Sequence, residues 1–219
     1  MCRFLIVKSQ KAFNPNRFLE DFANMAEKSR TVENDKQEDG WGVAWHQEGA
    51  WKIKKYLKPI WKNRELFKEI KNTKLLVVHA RSSSFESHKD NLEFNQPFIE
   101  GPLAFVFNGM VIGVAFEKKI DGKIGAQKIF NLIRESGKSD LEESLLSIHH
   151  LMKNSSRKIK GLNIGLATGN RIAALCAYGQ DKKYFTLHHH NSNDLSIIAS
   201  EPVGDFDFEP MKDGQVKVF

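Results

Sequence analysis

A cysteine at position 2 is the residue of this sequence with the clearest potential for chemistry. Met1-Cys2-Arg3 leads into an apolar stretch, Phe4 to Val7, which predicts a strand. Initiator methionine is usually removed before a small residue, which would leave a thiol and a free α-amine on Cys2. Because an α-amine titrates near pH ~7.7–8 and a thiol near ~8.5, the two can share a proton. This is typical of a nucleophile with its own base; an incidental buried thiol is the alternative.

Four further segments place glycine or polar residues beside predicted strands. They are Asp39-Gly40-Trp41-Gly42, His79-Ala80-Arg81-Ser82, Asn108-Gly109 and Ala199-Ser200-Glu201-Pro202. The glycines of the first segment allow close backbone approach within a strand. The planar guanidinium of Arg81 suits a carboxylate, although a surface arginine at a strand end is equally consistent with the local sequence. Asn-Gly is a strong turn dipeptide and predicts a hairpin.

Composition narrows the class of protein. The chain has 219 residues, a formal net charge of +6, and no run near the ~18 apolar residues that a spanning helix needs. Its beginning lacks the layout of a signal peptide. Cys2 and Cys176 form neither a disulfide framework nor a metal-ligand pair. We therefore expect a cytoplasmic protein with no metal or other cofactor.

Two clusters invite a functional interpretation that we do not favour. Lysines interleave with aromatic residues between Trp51 and Trp61, which nucleic-acid binding could explain. No nucleic-acid motif accompanies them, so a hairpin with a solvated lysine face is the preferred interpretation. In His188-His189-His190 only the first and last side chains share a face of a strand. No third ligand is evident, so no metal site is expected.

Strand and helix patterns are mixed along the chain, without a long linker. Asn14-Pro15 predicts a helix start, with apolar residues at helical spacing up to Ala26. The stretches Trp41–Trp45 and Trp51–Tyr56 predict a hairpin. The other predicted elements are a short helix at Asn63–Lys71, strands at Lys74–His79 and Leu103–Phe107, helices at Ala126–Glu135 and from Asp140 through Leu151, strands at Leu162–Ala167, Arg171–Tyr178, Tyr184–His188, Leu195–Ala199 and Gln215–Phe219, and a loop at Glu33–Asp39. Strands, a helix pair and strands again favour an α+β layered domain.

In this order and spacing the segments resemble the class II glutamine amidotransferase domain of the N-terminal-nucleophile hydrolase superfamily. The most similar branch is the stand-alone one that begins Met-Cys-Arg. The matching segments are Met1-Cys2-Arg3, Asp39-Gly40-Trp41-Gly42, His79-Ala80-Arg81, Asn108-Gly109 and Ala199-Ser200-Glu201-Pro202, so the resemblance covers nearly the whole chain. It implies one domain, residues 1–219, with a four-layer α-β-β-α sandwich of two mainly antiparallel sheets.

The resemblance also implies roles for individual residues. Cys2 would attack a side-chain amide carbonyl and form a γ-glutamyl thioester, while Asn108 and the backbone N–H of Gly109 would form the oxyanion hole. The implied substrate-binding residues are Arg81 for the α-carboxylate, with Trp41, Gly42, Ser82 and Glu201. His79 is expected to be a packed strand residue, because the terminal amine already serves as the base. From local sequence alone, Ser200-Glu201 is equally a simple turn.

Three positions depart from the family pattern. Histidine usually precedes Pro-Phe, where this chain has Gln96, and usually precedes Asn-Gly, where this chain has Phe107. The helix after Asn-Gly usually opens with a Thr-Asp-Ser-Glu-like run whose aspartate binds the substrate ammonium, but Lys123–Gln127 contains no acid. An ammonium buried without an anion is costly. Either Asp121 or Glu201 supplies the charge, or the substrate is not free glutamine.

The expected function is therefore that of a glutamine amidotransferase or γ-glutamyl amide hydrolase. A catalytically silent binding or regulatory protein on the same fold is the alternative. The expected partner is a glutamine-like or γ-glutamyl small molecule. The 219 residues include no synthase region, so released ammonia would pass to a separate synthase subunit or to solution. Neither nucleic acid nor membrane is expected as a partner, and a homodimer is left open.

Overall fold

The computed structural model describes residues 1–29 and 33–219 and shows two β-sheets stacked between helices. The strands are β1 (Arg3–Phe13), β2 (Trp41–Gln47), β3 (Ala50–Tyr56), β4 (Thr73–Ala80), β5 (Phe98–Glu100), β6 (Leu103–Val114), β7 (Ser156–Thr168), β8 (Arg171–Cys176), β9 (His188–Asn191), β10 (Leu195–Ala199), β11 (Glu209–Pro210) and β12 (Gln215–Val218). The α-helices are α1 (Asn16–Glu27), α2 (Gly125–Glu135), α3 (Leu141–Ser155) and α4 (Lys182–Phe185). Short 3₁₀ helices cover Ile60–Lys62, Arg64–Glu69, Glu86–His88 and Leu92–Phe94.

Both sheets are antiparallel. The first has seven strands in the order β11-β9-β10-β1-β4-β2-β3, and the second has five in the order β12-β8-β7-β6-β5. In the first sheet β1 lies between β10 and β4. In the second sheet β6 lies between β5 and β7. The strand that follows Cys2 directly, β1, and the strand that contains Asn108, β6, are therefore interior strands of opposite sheets.

Alternation of side chains along β1 shows how the layers form. Leu5 and Val7 pack with the residues of α1 on the outer face of the first sheet. Phe4 and Ile6 point the other way and pack between the sheets. The outer face of the second sheet packs with α2 and α3. This arrangement confirms the four-layer α-β-β-α fold that the resemblance implied.

Several predicted elements are confirmed close to their predicted bounds. The helix after Pro15 is α1, and the paired aromatic stretches form the β2–β3 hairpin, which turns at Glu48-Gly49. The capping signal at Asp140 is real, since its carboxylate accepts a hydrogen bond from the Glu143 N–H at 3.0 Å. The helix predicted over Asn63–Lys71 is a 3₁₀ helix over Arg64–Glu69.

Two local predictions are wrong. Asn108-Gly109 is not a hairpin turn but lies inside β6, where the two residues pair with Asn163 and Leu162 of β7. Here pairing along the whole length of β7 outweighs the turn preference of the dipeptide. The strand predicted over Tyr184–His188 is instead the short helix α4, and β9 begins only at His188. Within the described part of the chain, no helix is both long and apolar enough to cross a membrane.

Candidate active site

A cavity of about 380 Å³ brings together three of the segments that the sequence singled out. Its lining includes Cys2, Arg81, Ser82, Asn108 and Gly109. The register of the first sheet explains why Cys2 lies near Arg81 and Ser82. Arg3 pairs with Ala80 across β1 and β4, so Cys2 comes beside the chain that leaves β4. Asn108 and Gly109, in the middle of β6, come from the second sheet.

Cys2 is a free, half-buried cysteine at the edge of this cavity. Its Sγ lies 3.6 Å from the Ser82 carbonyl oxygen, which accepts a weak hydrogen bond from the thiol. Burial raises the pKa of Cys2 above its ordinary value, while the chain-terminal ammonium and the Arg81 guanidinium act in the opposite direction. The thiol is therefore protonated near neutral pH, and attack on a substrate requires a base.

Asn108 is the second component of the site. Its side chain is buried, with 1% exposed, and neither amide atom has a hydrogen-bond partner among the described residues. A buried amide without a partner costs free energy, and such groups are rare in folded proteins. Because Asn108 also lines the cavity, its amide is available to a group that enters. This is the arrangement expected of an oxyanion donor, which must be in place before charge develops.

Gln96 holds the backbone next to Asn108 in place. Its Oε1 accepts a hydrogen bond from the Phe107 N–H at 2.6 Å, and its Nε2 donates to the Phe107 carbonyl oxygen at 3.2 Å. A Cβ atom at Gly42 would lie 2.2 Å from the Gln96 carbonyl oxygen, so only glycine fits there. The sequence drew attention to Gln96 only as a departure from the expected histidine, and its role in positioning β6 was missed.

Arg3, the residue after Cys2, is anchored by a buried ionic network. The Arg3 side chain is fully buried and forms an ion pair with Glu201 at 2.7 Å and with Asp35 at 3.4 Å. It also donates to the Tyr184 carbonyl oxygen at 2.9 Å and lies 3.8 Å from the centre of the Tyr184 ring. Such a paired and hydrogen-bonded charge fixes its surroundings firmly. The network therefore positions Cys2.

Three predicted substrate-binding residues lie outside the cavity lining, and we reassign them to the support of the site. Glu201 is fully buried beneath β1 as the partner of Arg3. Trp41 is fully buried between the first sheet and α1, and its Nε1 donates to Asn63 Oδ1 at 3.2 Å. Gly42 allows the close approach of Gln96 described above. Ser82, by contrast, does line the cavity.

Ser200 also supports β1. Its Oγ accepts a hydrogen bond from the Phe4 N–H at 2.9 Å, and its own N–H donates to the Phe4 carbonyl oxygen at 3.0 Å. The backbone bends at Ser200 and Glu201, as the turn alternative had it, and the side chains of both residues also support β1.

Arg81 lines the cavity, but its two terminal nitrogens already have acceptors. They donate to the carbonyl oxygens of His88 and Lys89, the latter at 3.1 Å, and to Asn95 Oδ1 at 3.2 Å. Arg81 thus fastens the segment 88–95 over this side of the site. Because a guanidinium has five N–H donors, a substrate carboxylate would share Arg81 with these acceptors.

His79 is a packed strand residue, as expected. It is fully buried, and burial together with the charge of Arg81 lowers its pKa to about 3. The imidazole is therefore neutral over the whole range in which most enzymes work.

No aspartate or glutamate of residues 1–29 and 33–219 lines the cavity. The two acids considered as substitutes for the missing aspartate lie elsewhere. Asp121 is exposed and lines other surface depressions, and Glu201 is committed to Arg3. The carboxylate that the family pattern places at the start of α2 has no replacement in this cavity.

Comparison with known proteins rests on structure. No family model and no curated protein matches the sequence. Solved structures do match over the whole chain. A glutamine aminotransferase class-II domain protein from Silicibacter pomeroyi aligns with a TM-score of 0.66 at 17% identity, covering 99% of this chain and 94% of that one. A predicted glutamine amidotransferase from Pseudomonas aeruginosa gives 0.59 at 12% identity, covering 100% and 97%.

A larger enzyme shares the same architecture. The glutamine phosphoribosylpyrophosphate amidotransferase of B. subtilis aligns with a TM-score of 0.70 at 13% identity, over 99% of this chain and 47% of that enzyme. This chain has the fold of class II glutamine amidotransferase domains. At these identities the likeness establishes the fold, and the chemistry must be argued from the residues of this chain.

Proposed function

We propose that the chain is an amidohydrolase of the class II glutamine amidotransferase type that uses Cys2 as an N-terminal nucleophile. The observation that carries the proposal is the meeting of the Cys2 thiol and the buried, unpartnered Asn108 amide in one cavity. The shared fold supports it. The substrate class is a glutamine-like or γ-glutamyl amide.

The reaction runs in two halves. Cys2 Sγ attacks the amide carbon, and the thiol proton moves to the α-amine of Cys2. The negative charge that develops on the carbonyl oxygen is stabilised by Asn108 Nδ2 and the Gly109 N–H. The C–N bond then breaks, the amine passes its proton to the leaving ammonia or amine, and an acyl thioester remains. Water, deprotonated by the same amine, attacks the thioester and releases the acid and the free thiol.

Removal of Met1 is part of this proposal. In the structure the Met1 carbonyl oxygen accepts a hydrogen bond from the Tyr184 hydroxyl at 2.7 Å. Burial raises the pKa of Tyr184 well above its ordinary value, so the hydroxyl stays neutral. After processing, this hydroxyl would lose the Met1 acceptor and lie near the new α-amine of Cys2. It is the natural group to orient the base.

A silent binding protein on the same fold is the second candidate. The cavity without a carboxylate favours it, because a bound free glutamine would leave its ammonium unmatched. Ammonia transfer to a separate synthase subunit is a further outcome that the amidohydrolase proposal allows.

Covalent labelling separates the two candidates. We expect a glutamine-like diazoketone or iodoacetamide to modify Cys2 at neutral pH in one-to-one ratio, located by peptide mass spectrometry. Cys176 is the internal control, because burial raises its pKa to about 12 and its Sγ accepts the Leu187 N–H at 3.3 Å. The Cys2→Ala variant is the matched blank. Equal labelling of both cysteines, or none at Cys2, would contradict a formed nucleophilic site.

A further inference from the structure

The walls of the active-site cavity away from Cys2 are apolar. Met110 and Val114 of β6, Ile129 and Leu132 of α2 and Met152 of α3 all line it. Val114 is 40% exposed and Leu132 is partly buried, so part of this surface is open to an incoming ligand. A surface of this kind is stabilised when it is covered by apolar groups.

The charged side chains that line the cavity are all basic. They are Arg81, Lys123 and Lys128, and no acid of the described residues lines the cavity with them; Glu93 pairs with Lys123 at 2.8 Å from outside the lining. The helix α2 begins at Gly125, beside the cavity, with no acidic residue in its first turn. Its N-terminus adds partial positive charge. An ammonium group on a ligand would therefore meet a lining of net positive charge, whereas a carboxylate would be attracted.

We infer that this site takes an amide whose non-reacting part is apolar and anionic and carries no ammonium group. For a glutamine-type substrate, that describes an N-acylated glutamine with an apolar acyl chain. The choice of a glutamine-type amide rests on the proposed function. The preference for an apolar anion rests on the cavity lining alone.

A series of three primary amides tests this inference on the full-length chain. N-octanoyl-L-glutamine is apolar and anionic, N-acetyl-L-glutamine is anionic without the chain, and L-glutamine octyl ester is apolar but cationic. Binding to the Cys2→Ala variant is measured by calorimetry, and ammonia release is measured with the processed wild-type protein. Cys2→Ser serves as a second binding variant, and circular dichroism confirms that each variant is folded.

The expected order follows from burial. Each fully buried methylene tightens binding roughly fourfold. Burial of three of the six additional methylenes of the octanoyl chain should therefore tighten binding about 60-fold relative to the acetyl compound. The cationic ester should bind about 10–100-fold more weakly than the octanoyl compound, because it loses a charge-assisted contact.

Gly125 offers a matched pair of variants. A Cβ atom built there meets no atom within 4 Å, so the position has room for the start of either side chain in Gly125→Asp and Gly125→Asn. Gly125→Asp should shift the preference toward the cationic ester by at least about tenfold, while Gly125→Asn, of equal size and no charge, should not.

Two results would overturn the inference: equal affinity for the octanoyl and acetyl compounds, or an octyl ester that binds as tightly as the octanoyl compound. Efficient hydrolysis of free glutamine with no effect of chain length would reject the inference and leave the proposed function standing. The expected binding order without any hydrolysis would support the inference and reject the proposed function. The two failures are therefore distinguishable.

Discussion

Two buried asparagines on neighbouring strands should respond to alanine in opposite ways. Asn108 and Asn163 pair directly across β6 and β7, and each is 1% exposed. Asn163 is fully bonded: its Nδ2 donates to the Phe185 carbonyl oxygen at 2.6 Å, and its Oδ1 accepts from the Ala177 N–H at 3.1 Å. Asn108 has no partner among the described residues. The pair therefore separates the catalytic role that we propose for Asn108 from the folding role of Asn163.

The magnitudes follow from these contacts. Asn163→Ala leaves the Ala177 N–H without its partner and leaves the Phe185 carbonyl with only the weak donor Cys176 Sγ at 3.6 Å; a full loss costs about 1–3 kcal/mol, and the second loss is partial. We expect a loss of roughly 2–5 kcal/mol in the free energy of unfolding, and little change in turnover by the folded fraction. Asn108→Ala removes two polar atoms that are already unpaired. Relief of their desolvation offsets lost packing, so stability should change by less than about 1 kcal/mol.

Turnover should show the reverse order. Loss of one oxyanion donor lowers kcat by roughly 10²–10³, or about 2.7–4 kcal/mol, with little effect on substrate binding. Urea unfolding followed by tryptophan fluorescence gives stability, and ammonia release gives kcat and KM. If Asn108→Ala lowered the free energy of unfolding by several kcal/mol and left kcat unchanged, the assignment of Asn108 as an oxyanion donor would be refuted.

Three further outcomes follow from the site and its support. Intact mass of protein from its natural host should show Met1 removed, and protein that retains Met1 should alkylate more slowly at Cys2 near neutral pH, because no free amine adjoins the thiol. The pKa of His79 in the folded protein is lowered to about 3, so the unfolded chain binds a proton there at a higher pH than the folded protein does. The free energy of unfolding should therefore fall by up to ~1.4 kcal/mol per pH unit as the pH drops from ~6.5 toward about 3. His79→Gln should reduce this pH dependence in urea unfolding. Glu201→Gln leaves the fully buried charge of Arg3 with a weakened partner set, and should cost up to about 3–5 kcal/mol in unfolding free energy; an unchanged midpoint would remove the network from its structural role.

The sequence predicted well those features that depend on local pattern. The apolar spacing of α1 and α2 and the capping signal of α3 gave helices close to their observed bounds. The predicted meeting of Cys2, Arg81 and Asn108-Gly109 in one place came from the resemblance, and the cavity contains all of them. The prediction that failed rested on a local turn preference, which pairing with a distant strand overrides. Asn-Gly favours a turn in isolation, yet a long partner strand holds it extended.

The supporting residues were missed because their contacts are distant in sequence. Tyr184 forms hydrogen bonds with Met1 and Arg3, which are more than 180 residues away in sequence. Gln96, in the segment before β5, forms a hydrogen bond with the backbone of β6. Neither residue belongs to a periodic pattern or a motif with its own signature. Only the tertiary fold brings these groups close to Cys2, and no short segment of the sequence predicts that arrangement.

The motif residues and the substrate-defining residues separate in space. Arg3, Trp41, Gly42 and Glu201, which carried much of the resemblance, support the strands and do not line the cavity. A chain could keep all four and still act on a different amide. The cavity walls away from Cys2 come largely from the second half of β6 and from α2, and the start of α2 is where the sequence departs from the family pattern. The match therefore accounts for the fold and for the placement of Cys2, while the specificity that we infer depends on the apolar and basic lining of the cavity. Changes confined to that lining should alter the accepted amide and leave the reactivity of Cys2 intact.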